Sequence, residues 1–261
     1  MHKGVASRPT SVAPLAPGLF TGPASAASVT GNATYFAGLG SPYGGCGLPQ
    51  SALDSQNFVA LNVFDTPGQP FCRNGSWVAD RYDGATLTML VADSCADSDA
   101  WCRDDPNHLD LAQNSLNRFA KDGLPVGDMY PGHWNNRRIS WQFVPAPGCA
   151  GDIRIGFIQS AQPYWPVIAV SHLPNGIHGV QYYSNGTWHD ASMDSDLGQD
   201  YRIYRIGPTS TSPTQGTQYR IRVVDASGAL VAGGRTYRFA LPSSCANGCG
   251  PAYTTVTYTT S

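Results

Sequence analysis

Every one of the eighteen acidic residues in this chain is an aspartate, and no glutamate occurs anywhere. Lysine is nearly as rare, at positions 3 and 121 alone, against fourteen arginines. Glu and Lys are good helix formers, whereas Asp competes with the helix backbone and settles in turns and caps. Together with 29 Gly, 20 Pro and 13 Tyr, this alphabet predicts a mainly β chain of short strands joined by tight turns. The 261 residues suffice for one large or two ordinary domains.

Only 13% of the residues are charged and the net charge is -2. A nucleic-acid partner would call for a strongly basic face to neutralise phosphates, whereas a neutral, insoluble polymer needs no such field. No apolar run is long enough to span a bilayer. The seven cysteines, Cys46, Cys72, Cys95, Cys102, Cys149, Cys245 and Cys249, form no CxxC pair and no His stands at zinc-finger spacing. They point to three disulfides with one thiol left over, and so to an oxidising, extracellular setting. Residues 1–27 are rich in Pro, Ala and Ser, with a weak apolar stretch from Pro14 to Phe20 and a small-residue run from Ala24 to Ala27. They read either as a poor signal peptide or as a disordered leader.

Along the chain, β-favouring runs recur at Asn32–Phe36, Phe58–Phe64, Gly75–Ala79, Leu87–Ala92 and Ile139–Val144. Leu109–Ala120 is the best helix candidate, since Leu109, Leu116, Phe119 and Ala120 approach 3.6-residue spacing. Pro145-Ala146-Pro147-Gly148 brackets the end of this first unit, which covers residues 28–146. Short strands then follow at Ile153–Ile158, Val167–Val170, Val180–Tyr183, Tyr201–Ile206, Tyr219–Val224 and Thr236–Phe239, with hairpin signals at Asn185-Gly186 and Ser227-Gly228. A β-sandwich over 149–242 is the natural reading, with 243–261 as a tail.

Two carboxylates stand out in the first unit. Asp93 ends the apolar run Leu90-Val91-Ala92, and Asp110 lies in His108-Leu109-Asp110-Leu111 at the start of the candidate helix. Spacing alone leaves both with ordinary structural roles, Asp110 as a helix N-cap and Asp93 as a turn residue.

Four stretches in order give them another meaning. Gly31-Asn32-Ala33-Thr34-Tyr35 resembles the G-x-A-T-[YF] opening of expansins, Gly44-Gly45-Cys46-Gly47 their G-A-C-G segment, and Ala92-Asp93-Ser94-Cys95 their T-D-x-C. His108-Leu109-Asp110-Leu111 resembles their H-F-D-L-S, departing at the second residue and at the last, here Ala112. The first unit is thus similar to the six-stranded double-psi β-barrel of that family, which is related to family 45 endoglucanases. The resemblance implies that Asp110 is the essential acid, that Asp93 and Thr34 line the same groove, and that Tyr35 lies in or beside it.

An inverting glycosidase also needs a base on the far side of the bond, its carboxyl about 6.5–9.5 Å from the acid. In family 45 enzymes that base is an Asp following the opening motif. Here Thr34-Tyr35-Phe36-Ala37-Gly38 carries none, and the next acid is Asp54. Loss of general-base catalysis, worth about 10²–10⁴-fold, would leave cleavage negligible.

The second unit resembles the expansin carbohydrate-binding domain, an immunoglobulin-like β-sandwich. Pro163-Tyr164-Trp165-Pro166 matches its pair of exposed aromatics, whose rings suit the apolar faces of glucose. The third aromatic is not obvious: Tyr201 is the candidate, with Trp188 behind it. Within this framework the favoured disulfides are Cys46–Cys72 and Cys95–Cys102, while Cys245 could pair with Cys249 or either could pair with Cys149. Arg137-Arg138 reads as a solvated pair, and His172, His178 and His189 as surface or satisfied histidines.

The resulting expectation is a secreted, monomeric protein, without cofactor or metal, that binds cellulose and matrix glucans and loosens walls without hydrolysis. Two alternatives stand beside it, a family 45 type endo-β-1,4-glucanase using Asp110 and Asp93, and a binding or defence module of the barwin type.

Overall fold

In the first half of the chain six strands close on themselves, as read from a computed structural model describing residues 27–62, 77–82, 84–95, 100–127, 130, 137–193, 201–203 and 217–261, with backbone alone at 77–82, 100–101, 137 and 201–202. The strands are β1 (Val29–Phe36), β2 (Phe58–Leu61), β3 (Trp77–Tyr82), β4 (Ala85–Ser94) and β5 (Leu109–Ala112), then the short β6 (Ala120–Lys121) and β7 (Leu124–Pro125), and β8 (Arg137–Val144). The order β2-β5-β1-β8-β3-β4 returns to its start because β4 also pairs with β2, and β6 and β7 extend the sheet beyond β4. The β1–β5 and β2–β4 pairings are parallel. Parallel neighbours demand crossover connections, and two of them produce the double-psi barrel that the motifs predict.

Alternation along the strands sorts their side chains into two layers. Ala33, Val59, Leu61, Met89, Val91, Leu109, Leu111, Ile139 and Trp141 fill the barrel interior. Phe58, Leu90, Ala92 and Ala112 point the other way, into a second cluster completed by Ile158, Val167 and Ala169 of the second unit. All four residues of β2 and of β5 are therefore buried. The junction is reinforced by the Arg154–Asp54 ion pair at 2.7 Å and by the Ala146 N–H donating to the Pro174 carbonyl at 2.8 Å.

The expected helix over Leu109–Ala120 is absent. Leu109–Ala112 is a strand, and Gln113–Arg118 is a 3-10 helix that buries Ser115 and Leu116. Leu109, Leu116 and Phe119 do meet in one cluster, but a strand followed by a tight turn brings them there. Burial on both sides of β5 removes the polar face that a surface helix would have shown.

The second unit packs two five-stranded sheets. One runs β13 (Ser192–Met193), β14 (Tyr201–Arg202), β10 (Val167–Ser171), β9 (Arg154–Ile158), β17 (Tyr253–Thr255). The other runs β12 (Thr187–Asp190), β11 (Ile177–Ser184), β15 (Gln218–Asp225), β16 (Tyr237–Ala240), β18 (Tyr258–Thr260). Ile155, Phe157, Ile168, Val170, Tyr219, Ile221, Val223, Tyr237 and Phe239 form the core between them. The β11–β12 hairpin turns at Asn185-Gly186, both with positive φ (51° and 82°), as a type I′ turn requires.

The C-terminal segment corrects the reading of 243–261 as a tail. Its β17 adds to β9 and its β18 to β16, so it closes one edge of each sheet. An edge strand left bare exposes a row of unpaired backbone groups, which these three-residue additions satisfy. Cys245 and Cys249 are bonded to each other and Cys149 is a free thiol. Burial, then the Asp54 charge, raises that thiol above its ordinary range. The Cys95–Cys102 disulfide is present. Cys46 is disulfide-bonded, and Cys72 lies outside the described residues, as do Phe64 and most of the segment 194–216.

Candidate functional site

Register builds the site. In the parallel β1–β5 pair Thr34 lies opposite Asp110, in the antiparallel β2–β5 pair Ala60 lies opposite Asp110, and in the β2–β4 pair Ala60 lies opposite Asp93. Thr34, Asp110, Ala60 and Asp93 thus form one row across four strands. A bulge makes the row possible. Val59 pairs with Val91 but Ala60 pairs with Asp93, so Ala92 is the extra residue. Without that shift, strand alternation would send Asp93 to the opposite face. With strands about 4.8 Å apart, the Cα atoms of Asp110 and Asp93 stand about 10 Å apart.

Asp110 is nearly buried, with 8% of its surface exposed, and the Thr34 hydroxyl donates to its Oδ1 at 2.9 Å. The same hydroxyl lies 2.8 Å from Nε2 of His108, which is fully buried, and His108 Nδ1 lies 3.0 Å from Asp105 Oδ2. Asn32 Nδ2 donates to that Asp105 oxygen at 2.7 Å. The loop carrying Asp105 is held by the Asn62 side-chain amide, which donates to the carbonyls of Cys102 (2.6 Å) and Asp105 (2.9 Å). Gly31 lets the loop come this close, because a Cβ there would overlap the Asn107 carbonyl, which instead accepts from Trp141 Nε1 at 2.8 Å.

Asp93 is held differently. Its Oδ1 accepts from the Gly45 N–H at 2.6 Å and from the Ser94 N–H at 2.9 Å. Burial raises its carboxyl above the usual range and outweighs these two donors, which act to lower it. A Cβ on Gly45 would lie 2.9 Å from Asp93 Oδ1 and 2.7 Å from Ser94 Oγ, so the glycine of that segment is a spatial requirement. The Cys95–Cys102 bridge, with its Cα atoms 5.8 Å apart, packs with Ala60 and Phe36 beside the row. Constraining so short a loop stabilises by about 2–3 kcal/mol.

The four sequence stretches therefore converge: Thr34, the Gly45 N–H, Asp93 and Asp110 belong to one neighbourhood. His108, known from the sequence only as the first residue of its motif, joins it, as do Asp105, Asn32 and Asn62, to which sequence reasoning gave no role at the site. The available signal was the two-residue step from His108 to Asp110, which shares a face in a strand and not in a helix.

The aromatic candidates divide. Tyr164 and Trp165 are 66% and 40% exposed in the β9–β10 connection. Trp165 exchanges backbone hydrogen bonds with Gln162 at 2.9 and 3.0 Å. The root of this connection is clamped from the C-terminal segment, since Ser160 N–H donates to the Cys249 carbonyl and Cys249 N–H to the Ala161 carbonyl. Tyr35 is 40% exposed, yet alternation along β1 turns it to the face opposite Thr34, where it meets Tyr130 edge-on at 5.2 Å. In the β1–β5 register Tyr35 lies opposite Leu111, one position on from the Thr34–Asp110 pair. Phe36 is packed against Phe58. Tyr201 pairs with Ile168, in the same sheet as the aromatic connection, though its side chain is not described. Trp188 lies in the other sheet, with Arg222 (4.5 Å) and Arg220 (5.4 Å) over its ring. His172 and His189 are satisfied by the carbonyls of Ala150 and Ser184.

No family model and no curated protein matches the chain. Solved structures do. An expansin from Clavibacter michiganensis, determined alone, superposes with a TM-score of 0.55 at 20% identity, over 87% of this chain and 95% of that one. This chain has the two-domain expansin fold. The same bacterial expansin as an Asp-to-Asn variant in complex with cellohexaose gives equal figures, 0.55 and 20% over 87% and 95%. A Streptomyces papain inhibitor aligns at 32% identity over 45% of this chain and 94% of its own, with a TM-score of 0.28, too loose a superposition for structural inference. At 87% of this chain, the superposition in expansin fold extends over residues of both units.

Proposed function

We propose that the chain is an extracellular, monomeric expansin-type protein that binds cellulose and matrix glucans and loosens their contacts without hydrolysis. The observation that carries this reading is the row Thr34–Asp110–Ala60–Asp93, in which one nearly buried carboxyl is oriented by a hydroxyl and no acid follows the opening motif. The expansin fold, and the cellohexaose held by the bacterial expansin, support the ligand class. Disulfides among the described residues support an extracellular setting.

In this reading Tyr164 and Trp165 stack on glucose rings and hold the protein on its polymer. β10, which they precede, packs through Val167 and Ala169 on Ala112, two residues from Asp110. The barrel row then seats a glucan chain with Asp110 bonded near a glycosidic oxygen. Binding energy realised only on a twisted chain weakens that chain's contacts with its neighbours.

One observation favours a second reading. Asp93 shares the row with Asp110, so a hydrolytic pair is geometrically conceivable. Cellulose pull-down and reducing-sugar release, measured on one preparation, separate the cases. The proposal expects retention on cellulose with no sugar released. Steady release from soluble β-glucan establishes the endoglucanase instead, and failure to bind overturns both.

A further inference from the structure

The contacts around Asp110 require more hydrogens than their groups hold in ordinary ionisation states. Three contacts run in series: Asp105 Oδ2 to His108 Nδ1 at 3.0 Å, His108 Nε2 to Thr34 Oγ1 at 2.8 Å, and Thr34 Oγ1 to Asp110 Oδ1 at 2.9 Å. Each needs one hydrogen between its two atoms. The threonine hydroxyl supplies one and a neutral imidazole a second, while ionised carboxylates supply none. With both aspartates ionised and His108 neutral, one contact would set lone pair against lone pair. His108 is fully buried and Asp110 nearly so, and an unmade bond of this kind is costly in such surroundings.

We propose that Asp105, His108, Thr34 and Asp110 share one additional proton, with His108 and Asp105 as positioning residues that set the protonation state of Asp110. The proton has three balanced resting places. On His108, Nδ1–H donates to Asp105, Nε2–H to Thr34, and the Thr34 hydroxyl to the Asp110 carboxylate. On Asp110, its O–H donates to Thr34, whose hydroxyl turns to donate to Nε2 of a neutral imidazole that still donates from Nδ1 to Asp105. On Asp105, its O–H donates to Nδ1, Nε2–H donates to Thr34, and Thr34 donates to Asp110. Rotation of one hydroxyl and transfer along existing bonds interconvert the states, with no proton lost or gained. The second leaves Asp110 neutral with its proton bonded to Thr34, and in the first His108 holds that same proton.

Other charged groups nearby are otherwise engaged or lie outside the series. Asp104 is paired with Arg103 at 2.6 Å, and Asp93 is held by two backbone N–H groups. Asn32, the remaining donor to Asp105, is in register with the exposed Arg138 of β8.

This inference rests on Asp110 being the acid of the proposed site, but its test involves no glucan and so stands apart from the loosening assay. Nitrogen-15 signals of His108 and carbon-13 carboxyl signals of Asp110 and Asp105 are followed by NMR across pH in the full chain. Coupled groups report the same macroscopic steps, so the His108 and Asp110 signals are expected to move together, with the extra proton still present at neutral pH. In Thr34→Val the link is cut and each signal is expected to follow its own step, while Thr34→Ser restores the common one. A neutral His108 beside two ionised aspartates at neutral pH in the unaltered protein would overturn the proposal. Independent movement of the two signals in that protein, or common movement persisting in a folded Thr34→Val, would do the same.

Discussion

Asp93 and Asp110 occupy the two strands that flank β2, each in register with Ala60. Their Cα atoms are about 10 Å apart, so distance alone does not deny them a hydrolytic partnership. Their environments do separate them. Asp110 meets a hydroxyl tied to a buried imidazole, whereas Asp93 meets two backbone N–H groups in a setting that still disfavours its charge.

Replacing Asp110 with Asn keeps an acceptor for Thr34 and removes the ionisable acid. A hydrogen bond involving a charged group is worth about 1.5–3 kcal/mol, so loosening should fall roughly tenfold to a hundredfold. Cellulose retention should be unchanged, because the exposed aromatics lie in the other unit. Wall-extension and pull-down assays on Asp110→Asn check this, and undiminished extension would refute the role given to Asp110.

Asp93→Asn has a less ordinary consequence for stability. A carboxyl whose folded pKa is raised binds its proton more tightly in the folded state. The wild type therefore loses stability as pH climbs from the unfolded value of 3.8 through the raised one. Asparagine still accepts from Gly45 and Ser94 but never ionises. The variant should match the wild type at pH 3 and melt higher at pH 7, with loosening reduced. Melting curves at the two pH values decide it, and a variant that is less stable at neutral pH contradicts the electrostatic account.

These two carboxylates were legible in the sequence because each sits inside a short local pattern: Asp93 before Cys95, Asp110 after His108. The barrel and sandwich were legible from strand-sized runs and turn signals such as Asn185-Gly186. What escaped was set by tertiary context. Leu109, Leu116 and Phe119 mimic a helix because a strand and a 3-10 turn deliver them to one cluster, and that mimicry hid the shared face of His108 and Asp110. The alignment of Asp93 with Ala60 depends on a bulge at Ala92 that no residue type announces. Tyr253–Thr255 and Tyr258–Thr260 are too short to read as strands alone and gain their definition from the sheet edges they complete.

The aromatic side chains make a prediction by contrast. Tyr164 and Trp165 are exposed, so Tyr164→Ala and Trp165→Ala should leave the melting temperature nearly unchanged. Each should weaken cellulose binding by about 0.5–1.5 kcal/mol, roughly threefold to tenfold. Trp188→Ala should do the reverse. Losing its stacking with Arg222 and Arg220 costs about 0.5–1 kcal/mol of stability, and binding should hold. Binding isotherms and melts of the three variants together test the assignment. Loss of binding in Trp188→Ala alone would move the sugar face to the other sheet.

Acid stability should be governed in part by Asp152, far from the barrel row. Burial alone would raise its carboxyl, but donation from Tyr237 Oη (2.7 Å), Arg235 Nη1 (2.8 Å) and the Ile153 N–H (3.0 Å) outweighs it and holds the group below the usual range. Burial, followed by this same carboxylate, pushes the Tyr237 hydroxyl well above its ordinary value. For an acid with a depressed folded pKa, the stabilisation is fully present above the unfolded value of 3.8 and disappears as pH falls through the folded one. Asp152→Asn should therefore be less stable than the wild type at pH 7, by about 1 kcal/mol. The gap should narrow only below the unfolded value, as the wild-type carboxylate takes up its proton. Denaturant melts at pH 7, 4 and 2 provide the check. A gap independent of pH would show that Asp152 stabilises the core through shape and neutral hydrogen bonds rather than through its charge.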